Sequence, residues 1–198
     1  MMVLMAVVRL ALLSIVLLLS TQLLPTQVLA QPLVSMPLEC GDSATITQGV
    51  GGSVSHYGGQ YYAWDISQSG TSFPVAAAAD GVVAAIYNRD GAACTCCGSC
   101  TTACRTSVRA VMLRHDGYFT AYYHLSSIRV NLGDRVDRGE RLGMSGQTGH
   151  SCGIHLHFQA QTTASLLGAV ARSALPRGGR RAAARRPLLQ QRQLLRGS

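Results

Sequence analysis

Ser151–Phe158, SCGIHLHF, sets His155 and His157 one residue apart inside an apolar run. On a β-strand, side chains alternate between faces, so the two imidazoles share one face while Ile154, Leu156 and Phe158 are expected to enter the core. Their α-carbons would lie about 6.5 Å apart, a spacing that suits one metal ligand and one imidazole beside it. A catalytic zinc site takes about three protein ligands from His, Asp or Glu and leaves one position open. Outside the cysteines, the candidates in this chain are His56, Asp65, Asp80, His115, His124, His150, His155 and His157. Such a set is suited to metal-assisted hydrolysis, in which a cation polarises a carbonyl and acidifies water while neutral imidazoles move protons.

Three segments carry these residues: SHYGGQYYAWDIS (Ser55–Ser67), ADGVVAAI (Ala79–Ile86) and LRHDGYFTAYYHLSSIRVNLGDRVDRGERLGMSGQTGHSCGIHLHF (Leu113–Phe158). Their combination of a His followed by an Asp, Tyr-x-His-Leu, Gly-Asp-x-Val-x-x-Gly, Ser-Gly-x-Thr-Gly and His-x-His resembles the lysostaphin-type, or LytM-like, zinc endopeptidases of bacterial peptidoglycan. The resemblance covers about residues 50–160. It implies one zinc ion held by His56, Asp65 and His157, with His155 and His124 as catalytic imidazoles. It further implies hydrolysis of stem or cross-bridge peptides, and the chain is expected to act as a monomer. His155 is assigned as general base and His124 as transition-state donor, two roles that sequence alone leaves interchangeable. Two departures accompany the likeness: the interval from His56 to Asp65 is longer than the family's common one, and an Arg-rich tail follows Gln161 where further ordered chain is usual. The rival reading is a non-catalytic module that binds peptidoglycan or regulates another hydrolase; the filling of all five positions argues for catalysis. His115, beside a turn, and His150, in a loop, are read as exposed residues outside the site.

The elements that must position this set read as all-β. Short β-branched and aromatic runs alternate with Gly, Asp and Asn, predicting strands near Tyr61–Ser67, Ser72–Ala77, Gly81–Tyr87, Ser107–Arg114, Tyr118–Leu125, Val136–Met144 and Ile154–Gln161. Asp116-Gly117 between two of these runs is a hairpin signal. The fold class expected is antiparallel sheets of the duplicated hybrid, lipoyl-like barrel-sandwich type with a Cys-rich hairpin insertion. Gly133 to Gly139 is read as a tight turn rather than a substrate channel.

The net charge of +8 is unevenly placed. Residues 31–171 hold eight arginines against nine carboxylates, a net of −1, while residues 172–198 hold eight arginines and no acid. The tail lacks strand alternation and reads as disordered or loosely helical. It could adhere to anionic cell-wall polymer, but without interleaved aromatic residues it gives no sign of specific nucleic-acid binding. Residues 1–30 carry one charge, Arg9, then the apolar run Leu10–Leu19 and a small-residue ending at Ala30, the order of a cleaved secretory signal. An uncleaved anchor is the competing reading. The domains expected are therefore a signal over 1–30, an N-terminal segment over 31–45, a peptidase domain over 46–165 and an Arg-rich tail over 166–198, in a secreted or cell-envelope bacterial protein. Seven cysteines, five of them in CTCCGSCTTAC (Cys94, Cys96, Cys97, Cys100, Cys104), suit disulfides in an oxidising compartment. A structural metal site at Cys97-x-x-Cys100 is the alternative. Cys152 could pair with Cys40 or a loop cysteine, or stand beside the metal.

Overall fold

A computed structural model describes residues 34–89, 104, 106–166 and 181–183. The expected signal, the cysteines Cys94, Cys96, Cys97 and Cys100, and most of the tail lie outside the described residues. Among those described, no helix is long and apolar enough to cross a membrane.

The strands are β1 (Ser43–Gln48), β2 (Trp64–Ser67), β3 (Pro74–Ala76), β4 (Gly81–Asn88), β5 (Arg109–Arg114), β6 (Phe119–Tyr123), β7 (Leu125–Ile128), β8 (Arg135–Val136), β9 (Arg141–Ser145), β10 (Leu156–Gln161) and β11 (Arg181–Ala183). All pairings are antiparallel. An eight-stranded sheet runs β11-β1-β2-β10-β6-β5-β4-β8, and a three-stranded sheet runs β3-β9-β7. The expected Asp116-Gly117 hairpin joins β5 to β6, with Gly117 at φ +79°, where a glycine avoids the clash a Cβ would cause.

The sheets enclose a core of Ile66, Phe73, Val75, Val111, Leu113, Tyr122, Leu142, Leu156 and Phe158. Alternation puts Ala110, Met112, Ala121 and Tyr123 on the opposite face of the large sheet, in a second apolar cluster. His157, Gln159 and Gln161 occupy that second face of β10, and all three are buried.

Several expectations change. Tyr118–Leu125 is not one strand: His124 sits at φ +64° and breaks it, sending β6 into the large sheet and β7 into the small one. The run Val136–Met144 divides likewise into β8 and β9 around Gly139 at φ +90°, and the Gly133–Gly139 segment is not one tight turn, because β8 pairs with β4 inside it between turns at Gly133 and Gly139. Ile154 stays outside the core because β10 begins only at Leu156; His155 makes an isolated bridge to Gly146. The boundary expected after residue 45 falls inside β1, and Val34, Met36 and Leu38 are core residues. Within the Arg-rich tail, Arg181–Ala183 pair with β1 as a strand, since the outer edge of β1 offers unpaired backbone groups.

Candidate metal centre and active site

Strand register builds the site from β10 outward. His157 faces Asp65 of β2 on one side and Tyr123 of β6 on the other, so these three residues form one cross-strand row. His157 Nδ1 lies 3.0 Å from Asp65 Oδ1. Its Nε2 lies 3.0 Å from Gln159 Oε1.

His56 arrives from the loop between β1 and β2. The loop closes through backbone bonds from Gly51 N to Tyr61 O (2.8 Å) and from His56 N to Gly52 O (3.1 Å). Gln48, at the end of β1, ties it to the sheet: its Nε2 donates to Ser55 Oγ at 2.8 Å and to Asp65 Oδ2 at 2.9 Å, while its Oε1 accepts from Val54 N. Gly52 is required by this closure, because a Cβ there would come within 2.2 Å of Gln48 Cγ. The longer interval between His56 and Asp65 is thus taken up by a loop folded onto Gln48.

His124 and His155 complete the cluster, with ring centroids 4.7 Å apart; His124 is 6.0 Å from His157 and His56 is 5.2 Å from His157. His124 donates from Nδ1 to Thr148 O at 2.7 Å. Thr148 itself is clamped, its Oγ1 donating to Leu125 O and accepting from Arg109 N. This clamp holds His124 at a backbone conformation that a non-glycine residue seldom adopts. His155 donates from Nδ1 to Gly153 O at 2.9 Å, and its Nε2 lies 3.6 Å from Asp65 Oδ1.

All five expected site residues therefore come together. Asp80 and His115 do not join them: His115 Nδ1 meets Asp80 O at 2.7 Å and its Nε2 meets Thr120 Oγ1 at 2.8 Å, so the ring is half-buried and held at both nitrogens, not an exposed turn neighbour. Cys40 and Cys152 are exposed and not joined to each other. Sequence reasoning passed over Gln48, Gln159 and Gln161. The last two could have been noticed, since they continue the His155–His157 row at strand spacing where apolar residues would be expected.

The electrostatics follow from burial and crowding. Burial alone would raise the pKa of Asp65, but His157, His56 and the neighbouring imidazoles overcome it and hold the carboxyl far below the usual carboxylate range. Burial, then the nearby rings of His155 and His157, pushes His124 down to about 3. Burial also lowers His155, against the opposing pull of Asp65. His56 is raised: burial opposes this, but contact with Asp65 outweighs it.

The donor chemistry fits a zinc ion. Gly49 O, 2.7 Å from His56 Nδ1, can only accept, so the hydrogen of neutral His56 resides on Nδ1. Its Nε2 then carries a lone pair, is buried without a hydrogen-bond partner, and lies 3.2 Å from the negatively charged Asp65 Oδ1. Two electron pairs facing each other in a buried place repel unless a proton or a metal cation lies between them. One ligand atom from each of His56, Asp65 and His157 lies within 4.8 Å of the others.

Comparison with known proteins agrees with this class of site. The model of Peptidase family M23 matches residues 59–167, more than half of the chain, and the protein belongs to that family. The match contains Asp65, His124, His155 and His157, while His56 lies just before it. The peptidoglycan DD-endopeptidase ShyA of Vibrio cholerae is 48% identical over 50 residues, 25% of this chain and 12% of that protein. An uncharacterised metalloprotease of Haemophilus influenzae is 42% identical over 88 residues, 43% of this chain and 15% of that protein. The chain thus matches under a sixth of the length of these curated relatives. The catalytic domain of a mutant of the prophage-encoded M23 protein EnpA from Enterococcus faecalis superposes with a TM-score of 0.50 at 22% identity, covering 69% of this chain and 93% of that one. A zinc-containing peptidase from Vibrio cholerae gives 0.50 at 22%, covering 74% and 41%. At that identity the likeness is one of fold.

Proposed function

We propose that the protein is an exported zinc metalloendopeptidase that hydrolyses peptide bonds in peptidoglycan stem or cross-bridge peptides. The observation that carries this reading is the buried lone pair of His56 Nε2 facing Asp65 Oδ1 beside His157, an arrangement that calls for a cation. His56, Asp65 and His157 would hold the zinc, which supplies Lewis acidity to water and to a peptide carbonyl.

The remaining work belongs to the chain's own groups. With its Nδ1–H donated to Gly153 O, His155 presents a lone pair at Nε2, suited to take a proton from water. The carboxylate of Asp65, 3.6 Å away, steadies the imidazolium so formed. His124 likewise has its Nδ1–H on Thr148 O, so it becomes a donor to oxyanion or leaving amine only after Nε2 receives the proton that His155 took from water. Its ring lies 4.7 Å from that of His155, which supports a part for it in that second half of the reaction. The substrate class follows the names of the relatives, which include the DD-endopeptidase above and a glycyl-glycine endopeptidase of Staphylococcus capitis. The apolar segment before Ala30 supports export.

The test uses the whole purified chain on isolated peptidoglycan. Chelation should abolish release of peptide fragments, and one equivalent of zinc should restore it. Cleavage that continues in the chelated protein overturns the reading.

A further inference from the structure

The four site imidazoles are not oriented by the same means. His56, His124 and His155 each donate Nδ1–H to a backbone carbonyl, of Gly49, Thr148 and Gly153 respectively. His157 differs: its Nδ1 faces Asp65, and its Nε2 meets a side chain, Gln159 Oε1. That contact begins a chain of amides along β10. Gln159 Nε2 donates to Gln161 Oε1 at 2.7 Å, and Gln161 Nε2 donates to Thr163 O at 2.6 Å and Ser165 O at 3.0 Å. Gln159 and Gln161 are 1% and 0% exposed.

The direction of this chain is set at its far end. Carbonyl oxygens only accept, so the amide nitrogen of Gln161 must face Thr163 and Ser165, which turns its oxygen toward Gln159. Gln159 must then present its nitrogen to Gln161 and its oxygen to His157. An amide oxygen can only accept, so His157 carries a hydrogen on Nε2, which leaves Nδ1, facing Asp65, as the atom that can bind a metal cation placed between them. Reversing either amide would bring like groups together in a buried setting.

We propose that Gln159 and Gln161 are positioning residues: an amide relay, anchored on the carbonyls of Thr163 and Ser165, fixes the tautomer and ring orientation of His157 so that Nδ1 is its ligand atom. The inference rests on the zinc-site reading for its consequence, but the hydrogen held on Nε2 is a property of the metal-free chain. Gln161 is the informative member because it touches neither His157 nor the proposed ion. Partners of this kind around a metal ligand alter affinity by about ten- to hundredfold when removed.

The test combines two readouts on the full chain at mildly alkaline pH. Long-range 1H–15N spectra of metal-free protein should show His157 with its hydrogen on Nε2. Gln161→Met, which keeps volume but has no donor and only a weak sulfur acceptor, should give mixed His157 tautomers and weaken zinc binding, measured against a competing chelator, by about tenfold or more. An Nδ1–H tautomer in the wild-type spectrum overturns the relay, and this requires no variant to fold. Wild-type tautomer and affinity in Gln161→Met also overturn it. A wild-type chain that shows the Nε2–H tautomer but takes up no zinc upholds the relay and defeats the metal-site reading instead.

Discussion

The two faces of β10 are equally buried and differ in what they demand of a side chain. On one face Leu156 and Phe158 join the main core, with Phe158 5.3 Å from the Tyr122 ring. On the other, His157, Gln159 and Gln161 are as deeply enclosed, yet their polar atoms meet named partners with defined donor and acceptor roles. The apolar face depends on volume, because dispersion and burial have little direction. The polar face depends on direction, because a buried donor or acceptor without its partner loses more than the bond contributed. A single strand thus joins a packing surface to a chemical one, and the alternation of side chains keeps the two apart.

The largest effect that would test this division is on the chemical face. His157→Ala should lower peptidoglycan cleavage by roughly four orders of magnitude or more, while denaturant titration still shows cooperative unfolding. Residual cleavage within tenfold of wild type would remove His157 from the metal set. One residue along, Phe158→Ala should reverse the pattern, reducing stability by about 3–5 kcal/mol in denaturant titration. The zinc affinity of its folded fraction should match wild type. Weakened zinc binding in a fully folded Phe158→Ala protein would show that the faces are coupled.

The smallest effect concerns His115, an imidazole that lies away from the site. Burial lowers the pKa of His115 despite its contact with Asp80 O. The unfolded chain, with an ordinary histidine pKa of about 6.5, then binds more protons than the folded one as pH falls through that value. The stability contributed by neutral His115 is present above about pH 6.5 and is lost as pH drops toward its depressed folded value. His115→Gln should make the midpoint of urea unfolding less sensitive to acid, without altering zinc affinity. An unchanged acid dependence would remove His115 as a contributor.

Much of this arrangement was legible in the chain because strand geometry is local. The alternation of His155 and His157 with Leu156 and Phe158, and the Asp116-Gly117 hairpin, need only the period of a strand and the conformational freedom of glycine. The break at His124 was not legible: nothing in Tyr-Tyr-His-Leu signals a left-handed residue, which is held there by Thr148, 24 positions away. Strand β1 was missed for a similar reason, since its pairing with β2 and β11 comes from distant chain. The Ile154 expectation failed because periodicity marks faces but not where a strand begins.

The sequence by itself determined the antiparallel all-β class, the family and the five side chains that meet at the site, because residue type and short-range spacing carry those. Only the tertiary structure decided how those side chains are aimed. It folded the His56 loop onto Gln48, placed Asp65 opposite His157, and ran two buried amides from His157 to the carbonyls of Thr163 and Ser165. The orientation of an imidazole depends on the group its second nitrogen meets, and that partner comes from strand register and loop closure rather than from neighbours in the chain.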